Sequence, residues 1–156
     1  ISVDSHYLSW KMKEYGLHMN LIDQASRVNG LMPGWVVGKV IGALKCTPIL
    51  NANIIVYGIS YKKNVRDVRR SPSLQIIKLL DAMGANVIYV DPIADDVEIE
   101  EASKIPGNDT QVSSADCVVI CTAHDCIDYG KLEELAKVIV DTRGVISKDC
   151  PKLVSA

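Results

Sequence analysis

The stretch from Asn53 to Pro92 constrains this chain more than any other, because it reads as strand, charged loop, helix and strand in succession. Ile54 to Tyr57 is a short apolar run closed by Gly58, the pattern of a parallel strand buried on both faces. Lys62, Lys63, Arg66, Arg69 and Arg70 then gather in one loop against a single acid, Asp67. Ser71-Pro72 opens a helix: the serine hydroxyl accepts from first-turn amides, and proline is well placed at the first helical position. From Ser73 to Met83 the residues Leu74, Ile76, Ile77, Leu79 and Leu80 recur mostly at helical spacing, and Gly84 stops the helix. Asn86 to Val90 is the next strand, ended by Asp91-Pro92. A strand end, a basic loop and a helix N-terminus suit an anion, since unpaired N–H groups and the helix dipole point into the same space. A phosphorylated ligand is therefore expected there.

The rest of the chain extends this pattern. Residues 1–8 are too short to form a unit alone, and Tyr7 to Tyr15 reads as a helix stopped by Gly16. Leu21, Ala25, Val28, Met32, Val36, Val40 and Ala43 follow in steps of three and four, one helical stripe of about six turns. Asn29-Gly30 and Pro33 interrupt it without changing its phase, which predicts a single long helix bent near Pro33. Such a helix links domains or packs against its twin in a dimer. Cys46 to Asn51 is a linker, dividing the chain into 1–47 and 48–156. Beyond Pro92 come an acidic segment from Asp95 to Glu101 with a short strand at Val97–Ile99, and a polar loop from Ile105 to Val112. Then follow a strand at Val118–Cys121, a helix at Lys131–Lys137, a strand at Val138–Val140 and a tail from Val145. Short β-branched strands alternating with helices predict an α/β fold, a Rossmann-like open parallel sheet with helices on both faces. Ligands bind beyond the carboxyl ends of such strands, here Gly58–Lys62, Asp91-Pro92, Thr122–Asp125 and Asp141–Arg143.

Composition serves to exclude. The net charge of −2 over 156 residues gives no footprint for nucleic acid or an anionic membrane surface. No apolar run approaches the ~20 residues of a membrane span, and no leader sequence is visible. Five cysteines without C-x-x-C spacing, several of them in apolar runs, point to a reducing, cytoplasmic setting. Cys121, His124 and Cys126 provide three potential ligands with no fourth nearby, so no metal is expected and the set reads as structural. No G-x-G-x-x-G or G-x-x-x-x-G-K-[ST] occurs, so neither a standard dinucleotide fingerprint nor a P-loop is present.

The sequence G-I-S-Y-K-K-N-V-R-D-V-R-R-S-P resembles a segment of the UDP-glucose/GDP-mannose dehydrogenase family, Gly-x-x-Tyr-Lys-x-(four residues)-Asp-x-Arg-x-Ser-Pro. Gly58, Tyr61, Lys62, Asp67, Arg69, Ser71 and Pro72 match in order and spacing. That segment opens the family's C-terminal, nucleotide-sugar-binding domain. The resemblance implies that Lys62 contacts the nucleotide-sugar and that Tyr61 packs beside base or sugar. It places Arg69 in the same site, with Asp67 and Arg69 also holding the loop in shape. Asp141-Thr142-Arg143-Gly144 is similar to the family's closing strand, whose arginine reaches the uridine or its ribose, and this implies a substrate contact for Arg143. Ile1-Ser2-Val3-Asp4-Ser5-His6-Tyr7-Leu8 resembles the stretch after the family's catalytic cysteine, which puts Asp4 on the acid that orients water and catalytic groups. Ser2 and Ser5 stand where prolines are usual and His6 where an aromatic is usual. The Ile-x-Val-Asp form resembles the UDP-N-acetyl-D-mannosamine (UDP-N-acetylhexosamine) branch. Asn29 with Met32-Pro33 is similar to the family's long connecting helix and implies a homodimer.

Taken together, the resemblance implies the C-terminal part of an NAD-dependent enzyme that oxidises a sugar C6 alcohol to a carboxylate through a cysteine thiohemiacetal and thioester. The start at Ile1 reads as that of an excised piece. The cysteine, the catalytic lysine and the NAD-binding domain are expected upstream of it. Alone, this piece is expected to bind the UDP end of a UDP-sugar without turning it over. The alternatives are a UDP-glucose or GDP-mannose enzyme, a stand-alone nucleotide-binding or dimerisation module, and a different α/β enzyme. Without the resemblance, the basic loop reads as a solvated surface with Arg69 paired to Asp67, and Asp4 as a solvated acid.

Overall fold

The computed structural model describes residues 2–94, 97–105 and 109–156, with the side chains of Ser2 and Val3 left aside. Asp95, where the acidic segment begins, and Pro106 to Asn108 of the expected polar loop lie outside the described residues. The chain divides into two compact units, Ile1–Met32 and Pro33–Ala156.

In the first unit α1 spans Ser2–Lys13 and is joined to the start of α2 by the Ser9 hydroxyl donating to Asp23. This corrects the expected helix start at Tyr7. With serines rather than prolines at positions 2 and 5, no residue there fixes φ or lacks an amide donor, and Asp4 suits the positive first turn. Gly16, at φ +70°, follows the helix as expected. Helix α2 runs unbroken over Asn20–Leu44 with Pro33 inside it, so the continuous apolar phase prevails over the local breakers.

The second unit is built on six strands: β1 Asn53–Tyr57, β2 Asn86–Val90, β3 Ser103–Lys104, β4 Cys117–Ile120, β5 Ile139–Asp141 and β6 Leu153–Ser155. They form one sheet in the order β3-β2-β1-β4-β5-β6, every pair parallel. The three central strands are apolar and buried on both faces, as a parallel sheet covered by helices requires. On one face Ile54, Val56, Val87 and Val119 pack with Val36, Val37 and Val40 of α2 and with Ile76, Ile77 and Leu80 of α3, Pro72–Ala82. On the other, Ile55, Tyr57, Val118 and Ile120 pack with Val112 of α4, Asp109–Ser114, and Leu132 of α5, Tyr129–Leu135. The expected α/β, Rossmann-like architecture is thus present, and each clustered residue contributes about 25 cal/mol per Å² of apolar surface removed from water.

Four further local readings are corrected. The strand beside β2 is Ser103–Lys104 rather than Val97–Ile99, where only a single bridge, Ile99 to Ala102, occurs. The polar stretch contains α4, whose six residues bury one side chain and so show no period. Helix α5 starts two residues early, because Asp128 caps it by accepting from the Lys131 amide. The expected tail contributes β6, which pairs with β5 at the sheet edge.

Candidate nucleotide-binding site

The sheet order reverses between β1 and β4, and the chain leaves both strands at the carboxyl edge beside that reversal. Gly58 makes the exit from β1 possible. It sits at φ +82°, and a Cβ there would lie 2.4 Å from the Thr122 carbonyl oxygen at the end of β4. Only glycine accepts both the left-handed backbone and that contact. The connection from Gly58 to α3 contains two more left-handed residues, Asn64 at φ 59° and Arg70 at φ 59°.

Asp91, at the end of β2, fixes the first part of that connection. Its Oδ2 accepts from the Ile59 amide at 2.8 Å, the Ser60 amide at 2.9 Å and the Ser60 hydroxyl at 2.9 Å. Its Oδ1 accepts from the amides of Ile93 and Ala94, each at 2.9 Å. Burial opposes ionisation of this carboxyl, but the amides of Ala94, Ser60 and Ile93 outweigh it and hold its pKa below the usual carboxylate range. The end of β4 clasps the same segment, with Thr122 Oγ1 donating to the Ser60 carbonyl at 2.6 Å. His124, fully buried, lies with Nε2 3.2 Å from Asp91 Oδ2, and its Nδ1 accepts from the Asn64 amide at 3.0 Å. An amide N–H only donates, so Nδ1 carries the lone pair and Nε2 the proton. Asp125 completes the clasp. Its carboxylate accepts from Asn64 Nδ2 at 2.6 Å and pairs with Lys63, while its amide donates to Asn64 Oδ1 at 3.1 Å.

The remainder of the connection turns on itself. The Tyr61 amide donates to the Asp67 carbonyl at 2.7 Å. The Asp67 carboxylate takes the Arg69 amide at 3.0 Å, its Nε at 2.9 Å and its Nη2 at 2.8 Å, and these bonds pull the Asp67 pKa down to about 2. Ser71 then caps α3, its hydroxyl accepting from the Ser73 amide at 3.3 Å. A similar device shapes the exit from β5. Asp141 accepts from the amides of Arg143 and Gly144 on Oδ1, and from those of Val145 and Ile146 on Oδ2, at 2.7–2.9 Å.

Four of the five residues singled out from sequence, Tyr61, Lys62, Arg69 and Arg143, lie on loops at this carboxyl edge. Tyr61 and Lys62 follow β1, Arg69 precedes α3, and Arg143 follows β5. All four are exposed. Among the described residues no carboxylate pairs with Lys62 or Arg143, whereas the Arg69 guanidinium is engaged by Asp67. Asp4 lies exposed in the first turn of α1, in the other unit. Both ring nitrogens of His124 are committed, and burial pushes the Cys121 thiol up to about 12, so neither offers a ready metal ligand or nucleophile. A crevice of about 210 Å³ opens at the same edge beside α4 and α5, lined by Tyr57, Val90, Val112 and Leu132 and by none of the five residues. That Ser60 and Asn64 are clasped by Asp91 and His124 escapes a reading of the sequence, although three of these residues fall at the strand ends it marks, since Asn64 and His124 meet across 60 residues.

An all-parallel sheet with a shaped, basic loop at its reversal point defines a doubly wound α/β protein, a class whose ligands bind beyond the strand ends. Within that class, the chain belongs to the UDP-glucose/GDP-mannose dehydrogenase family: residues 55–148 match the model of that family's UDP binding domain. It is 31% identical to the UDP-N-acetyl-D-mannosamine dehydrogenase of Methanococcus maripaludis over 94% of this chain and 34% of that protein. It is 29% identical to protein CapL of Staphylococcus aureus, over 96% of this chain and 37% of that one. Among solved structures, the UDP-glucose dehydrogenase of Pyrobaculum islandicum superposes on 99% of this chain and 35% of its own with a TM-score of 0.79 at 24% identity, a likeness of fold. The UDP-N-acetyl-mannosamine dehydrogenase Cap5O from S. aureus covers 87% of this chain and 32% of its own at 26% identity and a TM-score of 0.67. The chain thus spans about a third of the length of the curated relatives it matches.

Proposed function

We propose that this chain supplies the nucleotide-sugar-binding part of an NAD-dependent UDP-sugar 6-dehydrogenase, with UDP-N-acetyl-D-mannosamine the substrate that its relatives' names favour. The observation that carries the reading is Lys62: an exposed cation without a carboxylate partner among the described residues, on a loop held rigid beside the sheet's reversal point. Its compact charge suits a diphosphate oxygen, and Arg143 offers a planar fork from the far side of β4 for phosphate, ribose or base. Tyr61 borders the same loop, and Arg69 reaches the ligand only as far as its pairing with Asp67 allows. Asp4 takes the role of orienting water in the whole enzyme. The connection from Gly58 to Ser71 is basic and lacks the short glycine turn that admits a dinucleotide pyrophosphate, so it does not fit NAD, and that cofactor belongs to another part of the enzyme.

Calorimetric titration of the 156-residue chain with UDP, with GDP and NAD as controls, tests this. UDP is expected to bind, and Lys62→Ala and Arg143→Ala are each expected to weaken it about tenfold. Binding unaltered in both variants would sink the assignment, and NAD reduction by the chain alone would sink its restriction to binding. The exposed apolar residues of α2, Leu21, Val28, Leu31 and Met32, favour a second copy of the chain as their cover and so a homodimer.

A further inference from the structure

We propose that His124 is the positioning residue of the nucleotide-binding loop, fixing through Nδ1 the Asn64 amide and with it the nearby Lys62 in the geometry that meets a diphosphate. The inference rests on the function proposed above and adds to it a residue that never touches the ligand. Three observations carry it. His124 is fully buried at the end of β4, and its two nitrogens bridge Asp91, which anchors Ile59 and Ser60, to the Asn64 amide. Asn64 stands in the left-handed region, which a non-glycine residue holds only where its surroundings over-determine it. Its side chain is returned to Asp125, one residue beyond His124, in two reciprocal hydrogen bonds. The segment carrying Lys62 is therefore pinned before it by Ser60, on the ends of β2 and β4, and after it by Asn64, on the end of β4, while the lysine itself stays in solvent. A backbone held in this way has little freedom left to lose when its lysine meets a ligand, which is how pre-organisation raises affinity.

The test combines His124→Phe, which fills the space without an acceptor, with His124→Asn, whose Oδ1 can accept from the Asn64 amide. In a double-mutant cycle on UDP binding, Lys62→Ala is expected to weaken affinity about tenfold in the parent chain and hardly at all in His124→Phe. His124→Asn is expected to recover most of the loss. Additive losses, about a hundredfold in the double variant, would overturn the proposal, because a histidine needed only for stability leaves the lysine's contribution intact. Two readouts need neither ligand nor variant folding. Imidazole nitrogen NMR of the parent chain is expected to show the Nε2–H tautomer, and amide exchange to show the Asn64 N–H protected. The opposite tautomer or an unprotected amide refutes the clamp. A chain with both signatures but no affinity for UDP would instead refute the function on which the inference rests.

Discussion

At the scale of single residues the site depends on one absent side chain. Gly58→Ala would force a Cβ against the Thr122 carbonyl while holding alanine at φ +82°. Left-handed backbone alone costs about 1–2 kcal/mol, and the contact adds to it, so a loss of at least ~2 kcal/mol in urea denaturation is expected. An unchanged midpoint would show that β1 and β4 part more readily than their spacing suggests. Residue types with strong local rules were legible in the sequence: Gly58 closing a strand, Ser71-Pro72 opening a helix, Gly84 ending it. His124 was legible only as structural, because what defines it is a pair of partners, Asp91 and Asn64, 33 and 60 residues away. A residue that acts through distant partners leaves no local pattern.

Elements were readable in proportion to their length and burial. The long stripe of α2 and the apolar strands β1, β2 and β4 announce themselves by periodicity, whereas β3 and α4 bury too little to do so, and β6 is only partly buried at the sheet edge. Helix α2 also shows what periodicity omits. Its stripe is uniform in sequence, yet Val36, Val40 and Ala43 are buried while Leu21, at 84% exposure, and Met32 are not. If a second copy covers the exposed half, Leu21→Glu with Leu31→Glu will turn a dimer into a monomer by analytical ultracentrifugation, with the sheet's circular dichroism unchanged. A parent chain that sediments as a monomer at high micromolar concentration would remove the dimer from the proposal.

For the whole molecule, the strand-end acids and buried neutral groups predict opposite limbs of a pH profile. Asp91 has a folded pKa below its unfolded value, so its stabilisation is present above about pH 4 and is lost as pH falls through the lower folded value. Burial raises Cys117, Cys121 and Tyr57 to about 12, so their contribution is full below about pH 9 and is lost as pH rises towards 12. Urea midpoints measured from pH 2 to 11 are expected to fall on both flanks, with a shallower acid limb in Asp91→Asn. An acid limb unaltered by that substitution would assign the transition to other carboxyls. Parallel pairing and the placing of the basic loop at the carboxyl edge were legible from the alternation of strands and helices, but the strand order was not, since no local signal states which strands become neighbours.

The clasp on the lysine loop also dictates when the site can exist. β1, α3 and β2 form a local unit whose pairings close within one crossover, and such contacts assemble early. Thr122, His124 and Asp125 reach the loop only once β4 has inserted beside β1, after the longer closure through β3 and α4. A nascent or truncated chain ending before Cys117 would therefore carry every basic residue of the loop and the ties to Asp91 and Asp67, but not the clasp on Ser60 and Asn64. If this loop is the nucleotide site proposed above, the appearance of UDP binding on refolding is expected to follow the docking of β4 rather than the collapse of the core.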